Sequence, residues 1–134
     1  MFDPSEAMKI SSHKGHYYVS YSHEVSVLVN ALEVRNAVFL VDERVLQLHE
    51  NKLKTLLDRR PVVAIDALES NKSLEIMPKT LETLLDAGVR RGDTLVVIGG
   101  GIVQDIGCFI ASTLFRGLAW VLFQQPFLHR LTVV

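Results

Sequence analysis

The sequence predicts an α/β fold of the Rossmann-like kind, in which a parallel sheet carries helices on both faces. Short apolar runs of strand length alternate with segments in which apolar residues recur at helical spacing. These runs are almost continuously apolar, which is typical of parallel strands that are buried on both faces. An apolar strand also ends in three glycines, at 99–101, and the chain continues as an apolar helix. Repeated strand–helix units of this kind define a doubly wound α/β domain.

The strands and helices are predicted in alternation along the chain. Asp42 ends an early strand, and apolar residues then recur at helical spacing until Pro61 opens the next strand. Asn71 or Ser73 is a candidate cap for a helix that stops at Gly88. The predicted strands are 17–21, 36–41, 62–65, 94–98 and 119–123, and the predicted helical segments are 24–32, 43–58, 71–87 and 102–115.

Composition limits the function classes. The 134 residues are 49% hydrophobic, enough for one domain with a core. A net charge of -1, with scattered basic residues, disfavours binding to nucleic acid or an acidic membrane surface. Arg116 interrupts the longest apolar run, and the single cysteine, Cys108, excludes an internal disulfide framework. The first residues do not resemble a signal peptide, so we predict a cytoplasmic protein.

The three glycines at 99–101, called the glycine turn below, form the candidate ligand site. Glycines let the chain turn sharply and let an anion approach the backbone N–H groups, and the following helix points its positive end at the same place. The pattern is neither a P-loop nor the common dinucleotide fingerprint, because Gln104 stands where the latter has its last glycine. A tight strand-to-helix connection is the alternative. Asp105 lies in an otherwise apolar helix, so we expect it to be buried and to accept hydrogen bonds near a ligand.

These residues resemble a known family. The run Gly99-Gly-Gly-Ile-Val-Gln-Asp-Ile-Gly, followed by Ala111-Ser-Thr-Leu-Phe-Arg-Gly117, is similar to the N-terminal domain of 3-dehydroquinate synthase and its sugar-phosphate cyclase relatives. The family's Asp after an early strand matches Asp42, and its Glu-x-x-Lys-Ser segment matches 69–73. The resemblance covers about 17–123, which is only the first part of a complete family member.

The resemblance implies that this domain binds NAD. Asp42 and Arg44 would lie at the adenosine end, where a carboxylate can accept hydrogen bonds from both ribose hydroxyls. Glu69 and Lys72 would hold the other side of the cofactor. Without the resemblance, Asp42 could simply end a strand, and Glu69 and Lys72 could be a solvated pair at a helix start.

The resemblance also implies roles for the glycine turn and for one arginine. Gly100, Gly101 and Ile102 would offer backbone contacts to the pyrophosphate, and Asp105 would stand near the nicotinamide half. Arg116 would reach the substrate of a neighbouring subunit in a homodimer, a role that suits a planar guanidinium. The alternative for Arg116 is an ordinary cation at a helix C-terminus, with a glycine cap after it.

The family reaction is an NAD- and metal-dependent cyclisation of a seven-carbon sugar acid phosphate with loss of phosphate. It is a carbon–oxygen lyase reaction of the shikimate pathway of aromatic amino acid biosynthesis. The zinc or cobalt site belongs to a C-terminal helical domain, which we expect to be absent here. The 134 residues therefore contain no expected catalytic residue or metal ligand, and we predict that they are inactive alone.

Other functions stay open on the sequence. The chain could derive from another cyclase, such as one acting on sedoheptulose 7-phosphate, or be a non-catalytic NAD-binding or interaction fragment. Metal-dependent alcohol and glycerol dehydrogenases also carry three glycines before an Asp. Their usual Ser after the glycines, and their Lys soon after the Asp, are replaced here by Ile102 and by Ile106-Gly107, which favours the cyclases.

The predicted domain organisation has three parts. Residues 1–16 form an N-terminal extension, 17–123 form the NAD-binding domain, and 124–134 form an aberrant tail. The family continues with Pro-Thr-Thr-Leu-Leu-Ala-Gln where this chain has Gln124-Gln-Pro-Phe-Leu. Loss of one base from a proline codon after Phe123 would produce such a tail, so we predict that it is out of frame. Nucleotide sequencing tests this, and an intact frame without a family-like continuation would contradict it.

Overall fold

The computed structural model describes residues 8–13, 15–21, 36–58, 60–124 and 130–133. The strands are β1 (Met8–Ser12), β2 (Gly15–Tyr21), β3 (Ala37–Asp42), β4 (Val62–Ile65), β5 (Thr94–Gly99), β6 (Ala119–Gln124) and β7 (Arg130–Val133). The α-helices are α1 (Glu43–Leu48), α2 (Glu50–Leu57), α3 (Met77–Asp86) and α4 (Gly101–Thr113). Two 3-10 turns lie at Glu69–Asn71 and Leu114–Arg116.

The strands form one sheet in the order β1-β2-β7-β6-β5-β3-β4. Strands β6, β5, β3 and β4 are parallel, which confirms the predicted α/β class. The other three strands make antiparallel pairs, including β2 with β7, which are far apart in the sequence. The connections from β1 to β2 and from β6 to β7 are short, and Ser12 lies opposite Gly15 in the first. Connections this short can form hairpins but cannot make the crossover that a parallel pair needs.

Helices cover both faces of the sheet, as predicted. All six residues of β3 are buried, and their side chains alternate between two apolar clusters. Phe39 and Val41 belong to the cluster that includes residues of α1 and α2. Val38 and Leu40 belong to the cluster that includes residues of α3 and α4. The parallel strands are therefore buried between two helical layers, which explains their continuous apolar sequence.

Two predicted helices differ from the structure. The helix predicted over 43–58 is divided at His49, whose φ of -121° and ψ of 22° are not helical. The predicted caps Asn71 and Ser73 were wrong, because α3 begins only at Met77 and no side chain caps it. Asn71 instead donates from Nδ2 to the carbonyl of Asp66, a local bond of the kind that competes with helix formation. The helix predicted over 24–32 lies outside the described residues.

The sheet includes residues on both sides of the predicted domain boundaries. The boundary at residue 16 lies inside β2, which pairs with β1 in residues assigned to the N-terminal extension. Strand β7, in the predicted tail, pairs with both β2 and β6. The seven-stranded sheet is therefore wider than the four parallel strands that position the candidate site.

Candidate functional site

The candidate site lies where the parallel strands end. Strand β3 has β4 on one side and β5 on the other, so the connections from neighbouring strands diverge there. In open α/β sheets the crevice outside the carboxyl ends at such a point is the usual ligand site. Strand β3 ends at Asp42 and β5 at Gly99, and a Cβ placed on Gly99 would lie 3.1 Å from the Cβ of Asp42. The carboxyl ends of β3 and β5 therefore lie in contact next to the three glycines.

The structural cause that favours glycine differs among the three residues of the turn. A Cβ on Gly99 would lie 3.0 Å from the Cβ of Val103, so close packing accounts for this residue. A Cβ on Gly100 or Gly101 would meet nothing within 4 Å, and neither residue has a positive φ. Neither packing nor backbone conformation requires glycine at these two positions. The open space above them is suited to a ligand that approaches the backbone closely.

Helix α4 begins directly at this open space. Gly100 is its N-cap residue, and no side chain caps the helix. The first N–H groups of a helix have no partner within the helix, and the helix dipole places partial positive charge there. The first turn of α4 can therefore bind an anion such as a phosphate group.

Gln104 also belongs to the turn, although sequence reasoning did not assign it a role. Its Nε2 donates to the carbonyl of Gly99 at 3.3 Å, and its backbone N–H donates to the carbonyl of Gly100 at 3.0 Å. These bonds connect the end of β5 to the first turn of α4. An amide side chain in the first turn after a glycine loop is the signal that could have identified it.

Asp42 has a structural role that leaves one carboxylate oxygen available. The residue is only 7% exposed, and its Oδ1 accepts a hydrogen bond from the backbone N–H of Arg44 at 2.9 Å. This is the N-cap bond of α1, so Asp42 both ends a strand and starts a helix. Within the described part of the chain, no hydrogen bond uses its Oδ2. The side chain of Arg44 is exposed in the first turn of α1.

The expectation that Asp105 is buried was wrong, since its side chain is 59% exposed. The buried residues of α4 all lie on the opposite face of the helix: Val103, Ile106, Gly107, Ile110 and Ala111. Apolar residues around most of the helix concealed this pattern in the sequence. The Asp105 carboxylate is therefore solvated and does not depend on a ligand for its hydrogen bonds.

Three predicted site residues come together at the start of α4. The Nζ of Lys72 lies 2.8 Å from Oδ2 of Asp105 and 3.5 Å from Oε1 of Glu69. Glu69 and Lys72 belong to the 3-10 turn and its cap, whereas Asp105 comes from α4. The Lys72–Asp105 pair therefore joins the segment after β4 to the helix after the glycine turn.

The ion pair raises the pKa of Lys72 above 10.5, first through its hydrogen bond to Asp105 and then through the charges of Asp105 and Glu69. A lysine whose pKa is higher in the folded chain than in the unfolded chain adds to the free energy of unfolding. This contribution is complete at pH values below the pKa in the unfolded chain, and it is lost as the pH rises through the pKa in the folded chain. We predict that NMR titration of Nζ gives a pKa above 10.5 and that Asp105→Asn lowers it. An unchanged pKa in Asp105→Asn would contradict the pairing.

A small apolar cleft adjoins this ion pair. It has a volume of about 240 Å³ and includes Lys72, Asp105, Leu74, Met77 and Phe109 in its lining. Leu74 is 74% exposed and Phe109 is 39% exposed, unusual for side chains of this size. The cleft offers an apolar surface next to a charged pair, an arrangement that suits an aromatic ring with a polar substituent.

Ile102 and Arg116 lie in different parts of the fold. Ile102 is in the first turn of α4, and its side chain packs against the cluster between sheet and helices, so only its backbone faces the turn. Arg116 follows the far end of α4, about 20 Å away for a helix of 13 residues. Arg116 and Phe115 both have positive φ, 70° and 53°. The structure does not bring Arg116 to the site of its own chain.

Metal and membrane features are absent from the described residues. No group of three or more His, Cys, Asp and Glu side chains in this part of the chain could hold a metal ion. Within the same residues, no helix is long and apolar enough to cross a membrane.

Comparison with known proteins identifies the family. Residues 62–130 match the family described as 3-dehydroquinate synthase N-terminal. This match covers half of the chain and includes the glycine turn, Lys72 and Asp105. The chain therefore belongs to the 3-dehydroquinate synthase family of sugar-phosphate cyclases, of which it represents an N-terminal part.

Curated relatives agree with this assignment. A 2-epi-valiolone synthase of Actinosynnema mirum is 32% identical over 110 residues, 79% of this chain and 29% of the relative. A 3-dehydroquinate synthase of Staphylococcus epidermidis is 32% identical over 121 residues, 85% of this chain and 33% of the relative. The chain spans about a third of the length of the curated relatives it matches.

Solved structures show the same fold. A 2-epi-5-epi-valiolone synthase from Streptomyces hygroscopicus, with NAD+ and Zn2+ bound, has a TM-score of 0.65 and 26% identity, covering 87% of this chain and 35% of that one. A 2-deoxy-scyllo-inosose synthase complexed with carbaglucose-6-phosphate, NAD+ and Co2+ has a TM-score of 0.67 and 17% identity, covering 88% and 35%.

Proposed function

We propose that this chain is the NAD-binding part of a 3-dehydroquinate synthase-type cyclase. One observation carries the proposal: the uncapped start of α4 faces open space at Gly100 and Gly101, where β3 and β5 end side by side. A side chain at either glycine would fill the space through which a pyrophosphate reaches the backbone N–H groups. The NAD+ bound in a relative with 26% identity supports the same reading.

The backbone N–H groups of Gly100, Gly101 and Ile102 bind the pyrophosphate in this proposal. Asp42 ends the neighbouring strand β3, and its Oδ2 is available to accept hydrogen bonds from ribose hydroxyls. Arg44, in the first turn of α1, contacts the adenosine end in this proposal. The N-cap bond to Arg44 fixes the Asp42 carboxylate, so the oxygen that receives the ribose is held in position before the cofactor binds.

Asp105, Lys72 and Glu69 hold the other half of the cofactor. The Lys72–Asp105 contact of 2.8 Å positions the carboxylate beside the apolar cleft, where it can accept a hydrogen bond from the carboxamide of a nicotinamide. When bound, NAD supplies the hydride acceptor that transiently oxidises a substrate hydroxyl. The exposed faces of Leu74 and Phe109 supply the apolar wall for the ring.

Arg116 acts across a subunit interface in this proposal. It lies about one helix length from the glycine turn of its own chain, and the proposed contact is with substrate held by another subunit. A planar guanidinium binds carboxylates and phosphates through paired hydrogen bonds. The proposed assembly is a homodimer in which each Arg116 contacts the sugar phosphate held by its partner.

The proposed parent reaction is the phosphate-eliminating cyclisation of a seven-carbon sugar acid phosphate in aromatic amino acid biosynthesis, in the cytoplasm. The metal, zinc or cobalt, would be held by residues outside these 134, so this chain alone is proposed to be inactive. A second candidate is another sugar-phosphate cyclase, such as one acting on sedoheptulose 7-phosphate. The relative described as a 2-epi-valiolone synthase favours considering cyclases other than 3-dehydroquinate synthase. A non-catalytic NAD-binding fragment is the remaining alternative.

Two substitutions of Asp42 separate cofactor binding from folding. Asparagine is as good an N-cap as aspartate, so we predict that Asp42→Asn keeps the free energy of unfolding while weakening NAD binding about tenfold. Asp42→Ala removes the cap as well and is expected to cost about 1 kcal/mol of stability. Urea unfolding and titration calorimetry measure the two effects. Unchanged NAD affinity in Asp42→Asn would contradict the proposed ribose contact.

A further inference from the structure

A second cleft lies at the opposite end of the sheet from the glycine turn. It has a volume of about 350 Å³, and its lining includes Asn36, Pro61, Arg60, Gly88, Arg90 and Asp93. These residues precede or begin β3, β4 and β5, whereas the glycine turn follows β5. The two clefts are separated by the length of a strand of six residues, about 20 Å.

Arg60, which lines this cleft, carries an unpaired donor. Its Nη1 is buried and has no hydrogen-bond partner among the described residues. The guanidinium carbon lies 5.8 Å from the centroid of the Phe39 ring, a cation–π contact with a fully buried side chain. Such a contact offsets only part of the cost of burying an unpaired charged donor. A native structure rarely retains a donor of this kind unless a ligand, ion or water satisfies it.

Asp93, the carboxylate in the cleft lining, already accepts a hydrogen bond. Asp93 Oδ2 accepts a hydrogen bond from the backbone N–H of Arg90 at 2.7 Å, and the Asp93 N–H donates to the Arg90 carbonyl at 3.1 Å. Asp93 therefore closes its own turn. Both ion pairs found in the described residues involve Lys72, so neither uses the guanidinium of Arg60 or Arg90.

We propose that this cleft binds a small oxyanion, a phosphate group either free or on a small metabolite. Arg60 and Arg90 both line the cleft and each supply a guanidinium, and an ion that enters beside Arg60 gives its buried Nη1 the partner it lacks. Guanidinium groups match phosphate oxygens in geometry as well as charge, and Asn36 adds an amide donor. The site does not depend on the proposed NAD role, because it shares no residue with the glycine turn.

Titration of inorganic phosphate into the purified chain, in phosphate-free buffer at constant ionic strength, tests the proposal by calorimetry. We expect saturable binding that Arg60→Met and Arg90→Gln each weaken by about tenfold or more. Methionine keeps an apolar stem over Phe39. Arg91→Gln is the matched control, because it removes the same charge one residue along from Arg90, outside the cleft lining, and should leave affinity within about twofold.

Two further measurements test where phosphate binds and whether the ligand is the free ion or a phosphorylated metabolite. Gly101→Val blocks the anion site at the start of α4 and should leave the phosphate binding that depends on Arg60 and Arg90 unchanged. Tighter binding of glycerol phosphate than of phosphate in this variant would indicate a phosphorylated metabolite. Equal or weaker binding of glycerol phosphate would indicate the free ion. Circular dichroism shows whether each variant is folded. If Arg60→Met does not fold, the Arg90→Gln variant, at an exposed residue, provides the test. Absence of saturable binding in Gly101→Val, or unchanged affinity in the folded cleft variants, would overturn the proposal.

Discussion

Replacing Gly107 by alanine is expected to destabilise the domain by about 1–3 kcal/mol. The added Cβ would lie 2.5 Å from Cγ2 of Val97 and 2.9 Å from its Cγ1, so helix α4 would have to move away from the sheet. Val97 cannot yield easily, because it is fully buried in β5 between β3 and β6. Urea unfolding followed by circular dichroism measures the change in the free energy of unfolding.

Gly101→Ala is the matched control for this prediction. Both residues belong to α4, but a Cβ on Gly101 would meet nothing within 4 Å. Alanine restricts the unfolded chain more than glycine does, so the substitution should be neutral or stabilise by up to about 1 kcal/mol. Equal destabilisation by Gly107→Ala and Gly101→Ala would contradict the close packing of α4 on β5.

Gly101→Val is expected to weaken NAD binding by at least about tenfold, or roughly 1.4 kcal/mol, while the fold persists. The valine side chain would occupy the open space above the first turn of α4, through which the pyrophosphate reaches the backbone. Titration calorimetry with NAD measures the loss, and Arg91→Gln serves as a surface control. NAD affinity that is unchanged in a folded Gly101→Val variant would rule out the glycine turn as the pyrophosphate site.

Local sequence patterns predicted the elements that depend on local forces. The buried parallel strands appear as continuous apolar runs, and the turn after β5 appears as three adjacent glycines. The break at His49 was not predictable in this way, because the apolar spacing continues through α1 and α2. The antiparallel strands β1 and β7 were missed, although each forms a hairpin with its neighbour in the sequence. Their place in one sheet depends on the long-range pairing of β2 with β7.

The candidate site shows the same division between local and long-range effects. The resemblance drew attention to Lys72 and Asp105, but their contact joins segments more than 30 residues apart and no local pattern predicts it. Asp105 was expected to be buried because its helix is mostly apolar, and only the packing of α4 shows which face meets the sheet. Arg60 has no motif around it, and its unpaired Nη1 is visible only in the folded chain.

Titration of NAD into the wild-type chain, followed by NMR of the backbone amides, tests whether the glycine turn binds the cofactor. We expect saturable binding of a single NAD, with the largest chemical-shift changes at Asp42, at Gly100 to Ile102 and at Asp105. We also expect weaker binding of NADP, because the Asp42 carboxylate would repel the 2′-phosphate. Absence of saturation, or shift changes confined to the cleft at Arg60 and Arg90, would contradict the account.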